Sequence, residues 1–205
     1  MIALPNYADI NGRPMKKLQI EQYLRKLQLN NFEPAVNLVT LTKLQDAHLK
    51  YIPYENFDCL NGKITSLKRQ DMFNKVIMHN RGGICFELNG LYNWLLESLG
   101  FDVTSYSARF IDKMETYQLR RHRVMCVTLG DKRYLTDVGV NSESPRVPLE
   151  IVEGLIQSDG ISQYKFTRSE FWGWLLWQKE RGKIWKRLFG FTEEPQIDKD
   201  FITAS

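Results

Sequence analysis

Several things are scarce in this chain. No window approaches the roughly eighteen apolar residues a membrane-crossing helix needs, and the opening MIALPNYADINGRP lacks the basic start and apolar core of a secretory signal. A cytoplasmic location with no membrane partner is the expectation. Only three cysteines are present, Cys59, Cys85 and Cys126, an odd number with no CxxC and no Cys/His pairing. That spacing suggests neither a disulfide framework nor a zinc site, so reduced thiols and no metal are expected. Charge is nearly balanced, 28 basic against 24 acidic residues for a net +4, too mild to argue for a nucleic-acid partner. Internal repeats, heptad runs and low-complexity segments are also missing.

What is there is core-forming material. With 205 residues and 43% hydrophobic content, the chain can bury a core sized for one large domain or two small ones. Basic residues gather at Arg120, Arg121, Arg123, Lys132 and Arg133. A solvated hairpin face explains them first, and a small polyanionic ligand second.

The first hundred residues read as helical. Leu18, Ile20, Tyr23, Leu24 and Leu27 share one helical face within 15–29, Leu38 to Leu49 repeats the spacing, and Met72, Phe73, Val76 and Ile77 do so within 69–80. Between them YIPYENFDCLNGK, punctuated by Pro53 and Gly62, reads as an extended loop. From Phe101 the texture changes to FDVTSYSARF, RRHRVMCVTL and KRYLTDVGV, rich in Val, Thr, Tyr and Phe, and these read as strands. Tyr164-Lys165-Phe166 reads as another, and EFWGWLLWQKE with KIWKRLFGF as a hairpin about Arg181-Gly182. Trp172, Trp174, Trp177 and Trp185 are expected in the sheet core, and the stretch with Pro145, Pro148 and Gly154 as a connecting loop. The fold class is α+β, helices first and then an antiparallel sheet or barrel.

The chemistry is announced by RGGICFELNGLYNWLLESLG, residues 81–100. Leu88, Leu91, Tyr92, Leu95, Leu96 and Leu99 draw one buried stripe on a helix that ends at Gly100, with Cys85 at its start. Unpaired N–H groups and the positive dipole end of such a helix favour a thiolate over a thiol, which suits a nucleophile. A buried cysteine acting only as a small hydrophobe is the plainer alternative.

The partners of Cys85 follow from hairpin geometry. A tight turn at Gly130-Asp131 sets His122 opposite Gly139 and Val124 opposite Asp137, so His122, Val124, Cys126, Leu135 and Asp137 share one sheet face. His122 and Asp137 then become diagonal neighbours, roughly 7 to 8 Å apart at the backbone and within side-chain reach. A satisfied core histidine is the alternative for His122, while His48 and His79 read as structural or solvent-facing. Together Cys85, His122 and Asp137 have the logic of a Cys/His/Asp triad that attacks an acyl carbon and forms a thioester. Nothing in the pattern separates transfer to an amine from transfer to water.

RGGICFELNGLYNWLLESLGFDV, HRVMCVTLGDKRYLTDVG, IPYENFD and the late stretch from Trp177 through EEPQIDKDF resemble, in order and spacing, the signature segments of the arylamine N-acetyltransferases. The resemblance implies a helical domain (1–100), an antiparallel β-barrel domain (101–192) and an α/β lid of which 193–205 is a remnant, around a cysteine-protease-like Cys/His/Asp core. It implies acetyl-CoA as acyl donor and an arylamine or hydrazine as small-molecule acceptor, with the triad on Cys85, His122 and Asp137. Tyr54 matches an acceptor-pocket aromatic, and Glu55 with Arg81 a buried ion pair under the cysteine loop. Val140-Asn141 stands where the family has Phe-Gly, which places Val140 at the acceptor wall and implies slimmer acceptors. The short lid implies weakened transfer, an open cleft at Cys85 and self-association into a homo-oligomer. An inactive relative that serves as a binding protein, and a Cys-dependent acyl hydrolase, stay open as alternatives.

Overall fold

Apolar side chains at helical spacing build the first layer. In the structure, a computed structural model that describes residues 12–111 and 119–202, α1 (Lys17–Lys26) buries Tyr23 and Leu24, and α2 (Leu38–Tyr51) starts on an Asn37 side chain that accepts the Thr40 N–H at 2.9 Å. The opening residues 1–11, read above for a signal, lie outside the described residues. Within YIPYENFDCLNGK, expected as an extended loop, Phe57–Leu60 winds into a short α3, and the Glu55 carboxylate accepts its first N–H, that of Phe57, at 2.9 Å. α4 (Arg69–Phe73) runs on as a π-helical turn over Asn74–Met78, with His79 N–H donating to Asn74 O at 2.9 Å.

The central helix is α5 (Cys85–Ser98). Every residue from Cys85 through Leu96 is buried, so the single stripe read from the sequence is one side of a helix enclosed all round. Tyr23, Leu41, Leu44, Phe73 and Val76 pack on it from the helical side, and Val103, Met125 and Val127 from the sheet. It stops at Gly100, whose φ of +88° is open to glycine at little cost and lets the chain reverse into the first strand.

Eight strands follow: β1 (Asp102–Phe110), β2 (His122–Leu129), β3 (Lys132–Thr136), β4 (Leu149–Glu150), β5 (Gln157–Ser158), β6 (Ser162–Ser169), β7 (Gly173–Glu180) and β8 (Lys186–Gln196). They form one antiparallel sheet in the order β4-β3-β2-β1-β8-β7-β6-β5. The sheet curls into a nearly closed barrel. Its two edge strands meet through one side chain: Gln157 Oε1 accepts the Glu150 N–H at 2.7 Å and Gln157 Nε2 donates to Glu150 O at 2.9 Å. β4 and β5 arise in the stretch expected as a connecting loop, and each is only a residue pair long, too short for an alternation signal.

Inside the barrel Tyr106, Val124, Cys126, Leu135, Phe166, Leu176, Phe189 and Phe191 form a second core. Of the four tryptophans expected there only Trp174 is buried. Trp177 and Trp185 lie on the outer face, beside the Lys165, Lys179 and Arg187 side chains, which cover their rings (Lys165 Nζ is 4.6 Å from the Trp185 centroid). A row of lysines and arginines can shelter a tryptophan as a core does, and the sequence pattern does not separate the two. No described helix is long and apolar enough to cross a membrane.

Candidate active site

The β2–β3 hairpin turns at Gly130-Asp131 in the expected register, Met125 opposite Thr136 and Cys126 opposite Leu135. Continued toward the open end, that register brings His122 and Asp137 together: Nε2 of His122 lies 2.6 Å from Asp137 Oδ2, both side chains fully buried. Phe110 and Phe189 flank the imidazole, ring centroids at 5.0 and 5.2 Å. α5 delivers Cys85 to the other side of the ring, 8% exposed, its thiol donating to Arg121 O at 3.6 Å. With Nε2 taken by Asp137, Nδ1 is the ring nitrogen left for the sulfur, and it has no other hydrogen-bond partner. Burial pulls the His122 pKa down. The Asp137 charge and hydrogen bond and a negative sulfur at Cys85 outweigh it and raise the group to about 10. The imidazole is held protonated at neutral pH.

Asp137 is fixed by residues that sequence reasoning passed over. Asn89 sits one turn beyond Cys85 on the same helix, fully buried, with Nδ2 donating to Asp137 Oδ1 at 2.8 Å and to Arg123 O at 2.5 Å, while its Oδ1 accepts the Val138 N–H at 2.9 Å. The Gly139 N–H donates to Asp137 Oδ1 at 2.8 Å. Gly139 also lies hard against Cys85: a Cβ there would stand 2.9 Å from Cys85 Cα. The available signal for Asn89 was its spacing of four from Cys85, which stacks the two on one helical face.

Beneath the cysteine, charges brace the helix start. Ile84 N–H donates to Glu87 Oε2 at 2.9 Å, and Glu87, nearly buried, is paired with Lys75 Nζ at 2.8 Å. The π turn aims Lys75 at Asp58 too, also at 2.8 Å. Arg81 Nη2 lies 2.7 Å from Glu55 Oε1, so that pair is formed. Its arginine side chain, however, is 40% exposed. Lys75, at 16%, is the inner cation. Tyr54 pairs with Gly83 in an isolated bridge, is 38% exposed, and has its hydroxyl pKa raised by burial and then by a negative Cys85. Val140 is 6% exposed within the barrel core, its N–H on Ser144 Oγ at 2.8 Å, and Asn141 begins a 3-10 turn. Among the described residues no group of three His, Cys, Asp or Glu is placed to hold a metal ion.

A profile described as N-acetyltransferase matches residues 37–205. The arylamine N-acetyltransferase of Mycolicibacterium smegmatis is 34% identical over 189 residues, 89% of this chain and 68% of that protein. The chain belongs to the arylamine N-acetyltransferase family. Among solved structures in this family, the Salmonella typhimurium enzyme superposes with a TM-score of 0.86 at 26% identity, covering 93% of this chain and 68% of its own. The Mycobacterium marinum arylamine N-acetyltransferase in complex with CoA superposes at 0.83 with 27% identity, covering 91% and 69%. The chain spans 60 to 68% of the length of the first curated relatives it matches.

Proposed function

We propose that this chain transfers acetyl from acetyl-CoA to an arylamine or hydrazine through an acetyl-Cys85 intermediate. The observation that carries the reading is the buried line of Cys85, His122 and Asp137, with Asp137 on one ring nitrogen and the thiol left to the other. Family membership and the relative that holds CoA support the donor class.

His122 holds on Nδ1 the proton given up by Cys85, so the sulfur stands ready as a thiolate, and Asp137 keeps the imidazolium oriented and stabilised. The sulfur attacks the acetyl carbonyl. Its developing oxyanion is met by N–H groups of the first turn of α5, which have no carbonyl within the helix to pair with. The donor's sulfur leaves with the proton from His122. In the second half His122 takes a proton from the attacking amine, the thioester C–S bond breaks, and the Cys85 sulfur departs with that proton returned. Tyr54 and Val140 are read as acceptor-side residues, and Val140, smaller than a phenylalanine, favours slim acceptors.

Mass spectrometry after mixing with acetyl-CoA or an activated acetyl ester should find one acetyl group, on Cys85, that arylamine removes. A label that persists in Cys85→Ala overturns the assignment. Loss of the label to water at the same rate with and without amine makes the chain a hydrolase.

A further inference from the structure

The last described turn, a 3-10 helix over Asp198–Phe201, follows β8 and returns to the helical layer. Its carboxylate is shared between two arginines from different layers. Arg69 of α4 donates Nε to Asp198 Oδ2 at 2.8 Å, and Arg123 of β2 donates Nη2 to Oδ1 at 2.9 Å. Each arginine is also held elsewhere, Arg69 Nη2 by Glu97 Oε2 at 2.6 Å and Arg123 Nε by Ser105 Oγ at 3.1 Å. Their side chains are only 11% and 3% exposed. Guanidinium groups this buried require anions, so Asp198 is bound to its place by the charge balance of the interior.

Three residues on, Phe201 is 1% exposed, its ring 5.9 Å from that of Phe86 and its face 4.6 Å from the Arg123 guanidinium. Phe86, Phe201 and Cys85 make one small apolar cluster, joined at its edge by Leu67 and Ile84. The turn thus joins the cluster that holds Cys85, although it comes more than a hundred residues later in the chain. Cys85, expected in an open cleft, is 8% exposed and shares that cluster with the turn.

We propose that Asp198 is a positioning residue: clamped by Arg69 and Arg123, it seats Phe201 over Cys85 and keeps water and bulky reagents from the sulfur and from a thioester formed on it. The thioester part rests on the reading of Cys85 as the acetyl carrier. Asp198 touches no reacting atom. Removing its charge frees the turn, and water gains on the amine as the acceptor of the acetyl group.

The test compares wild type with Asp198→Asn, with Phe201→Ala, which leaves the ion pairs in place and guards against a folding defect, and with Glu194→Gln, which removes a surface partner of Arg120. Two quantities are read: the partition of acetyl-Cys85 between water and arylamine in single turnover, and the rate of Cys85 alkylation by a bulky maleimide relative to iodoacetamide, followed by peptide mapping. Asp198→Asn and Phe201→Ala should each raise the water-to-amine ratio and the bulky-to-small ratio on the order of tenfold, since small displacements near a reacting atom carry penalties of that size or more. Glu194→Gln should change neither. Ratios equal to wild type in Asp198→Asn, even with a lowered Tm, overturn the proposal. If wild type never carries an acetyl group, the transferase reading fails while the alkylation ratio still decides this one.

Discussion

Gly139 shows how little room the site leaves. Its N–H holds Asp137, and a side chain on it would meet Cys85 and Asn89 at once, 2.9 Å from Cys85 Cα and 2.8 Å from Asn89 Nδ2. Both neighbours belong to the enclosed helix α5, so neither has space to retreat. Gly139→Ala should therefore lower stability by about 1 to 3 kcal/mol, in the range of overpacked cores. It should also slow acetylation of Cys85 by more than the stability loss explains, on the order of tenfold or greater, because it moves the sulfur against His122. Urea unfolding and the rate of acetyl-Cys85 formation measure the two effects separately. An unchanged acetylation rate would mean that Gly139 does not set the position of the nucleophile.

At the scale of elements, the start of α5 depends on a partner from the π turn of α4. Lys75 neutralises Glu87, whose side chain is 3% exposed and carries the Ile84 N–H, and it reaches Asp58 as well. Lys75→Met leaves that carboxylate buried without a cation, a loss of about 3 kcal/mol by comparison with buried pairs broken from one side. Arg81→Met should cost distinctly less, since the arginine is 40% exposed and water replaces much of what it gives Glu55 and Asp58. Comparison of urea midpoints for the two variants tests the order. Arg81→Met as the more damaging change would reverse the assignment of the inner cation.

For the whole molecule, two buried histidines bend the pH dependence of stability in opposite directions. His122 has its folded pKa raised to about 10, so its contribution is complete below the unfolded value near 6.5 and is lost as pH climbs from there toward 10. His48 is fully buried against Tyr23 and Tyr92 with neither ring nitrogen hydrogen-bonded, and burial lowers it to about 3. Below about 6.5 the unfolded chain takes a proton there that the folded chain refuses. Stability then falls with pH by at most about 1.4 kcal/mol per unit. These two groups together place a stability maximum near pH 6.5. Urea midpoints from pH 4 to 9 should show it, and His48→Phe should flatten the acid side while leaving the alkaline side alone. An unchanged acid limb in that variant would mean that His48 is protonated in the folded protein.

Local pattern alone was enough for α1, α2, α5 and the β2–β3 hairpin, because helical and strand periodicities and a two-residue turn are written over a few neighbouring residues. The hairpin register even placed His122 beside Asp137, since side chains alternate and pairing about a turn is symmetric. Family motifs supplied the pairing of Glu55 with Arg81. Tertiary structure decided the rest, for a physical reason: these features depend on burial and charge summed over distant segments. Trp174 and Trp177, three apart on one strand, face opposite sides, and only the curl of the whole sheet decided that Trp174's side became the barrel core. Gln157 closed the barrel from a two-residue strand. Lys75, more than Arg81, became the inner cation once a π turn rotated it. Asp198 was drawn to Arg69 and Arg123 because two guanidinium groups had lost their water, a condition that no local stretch of sequence records.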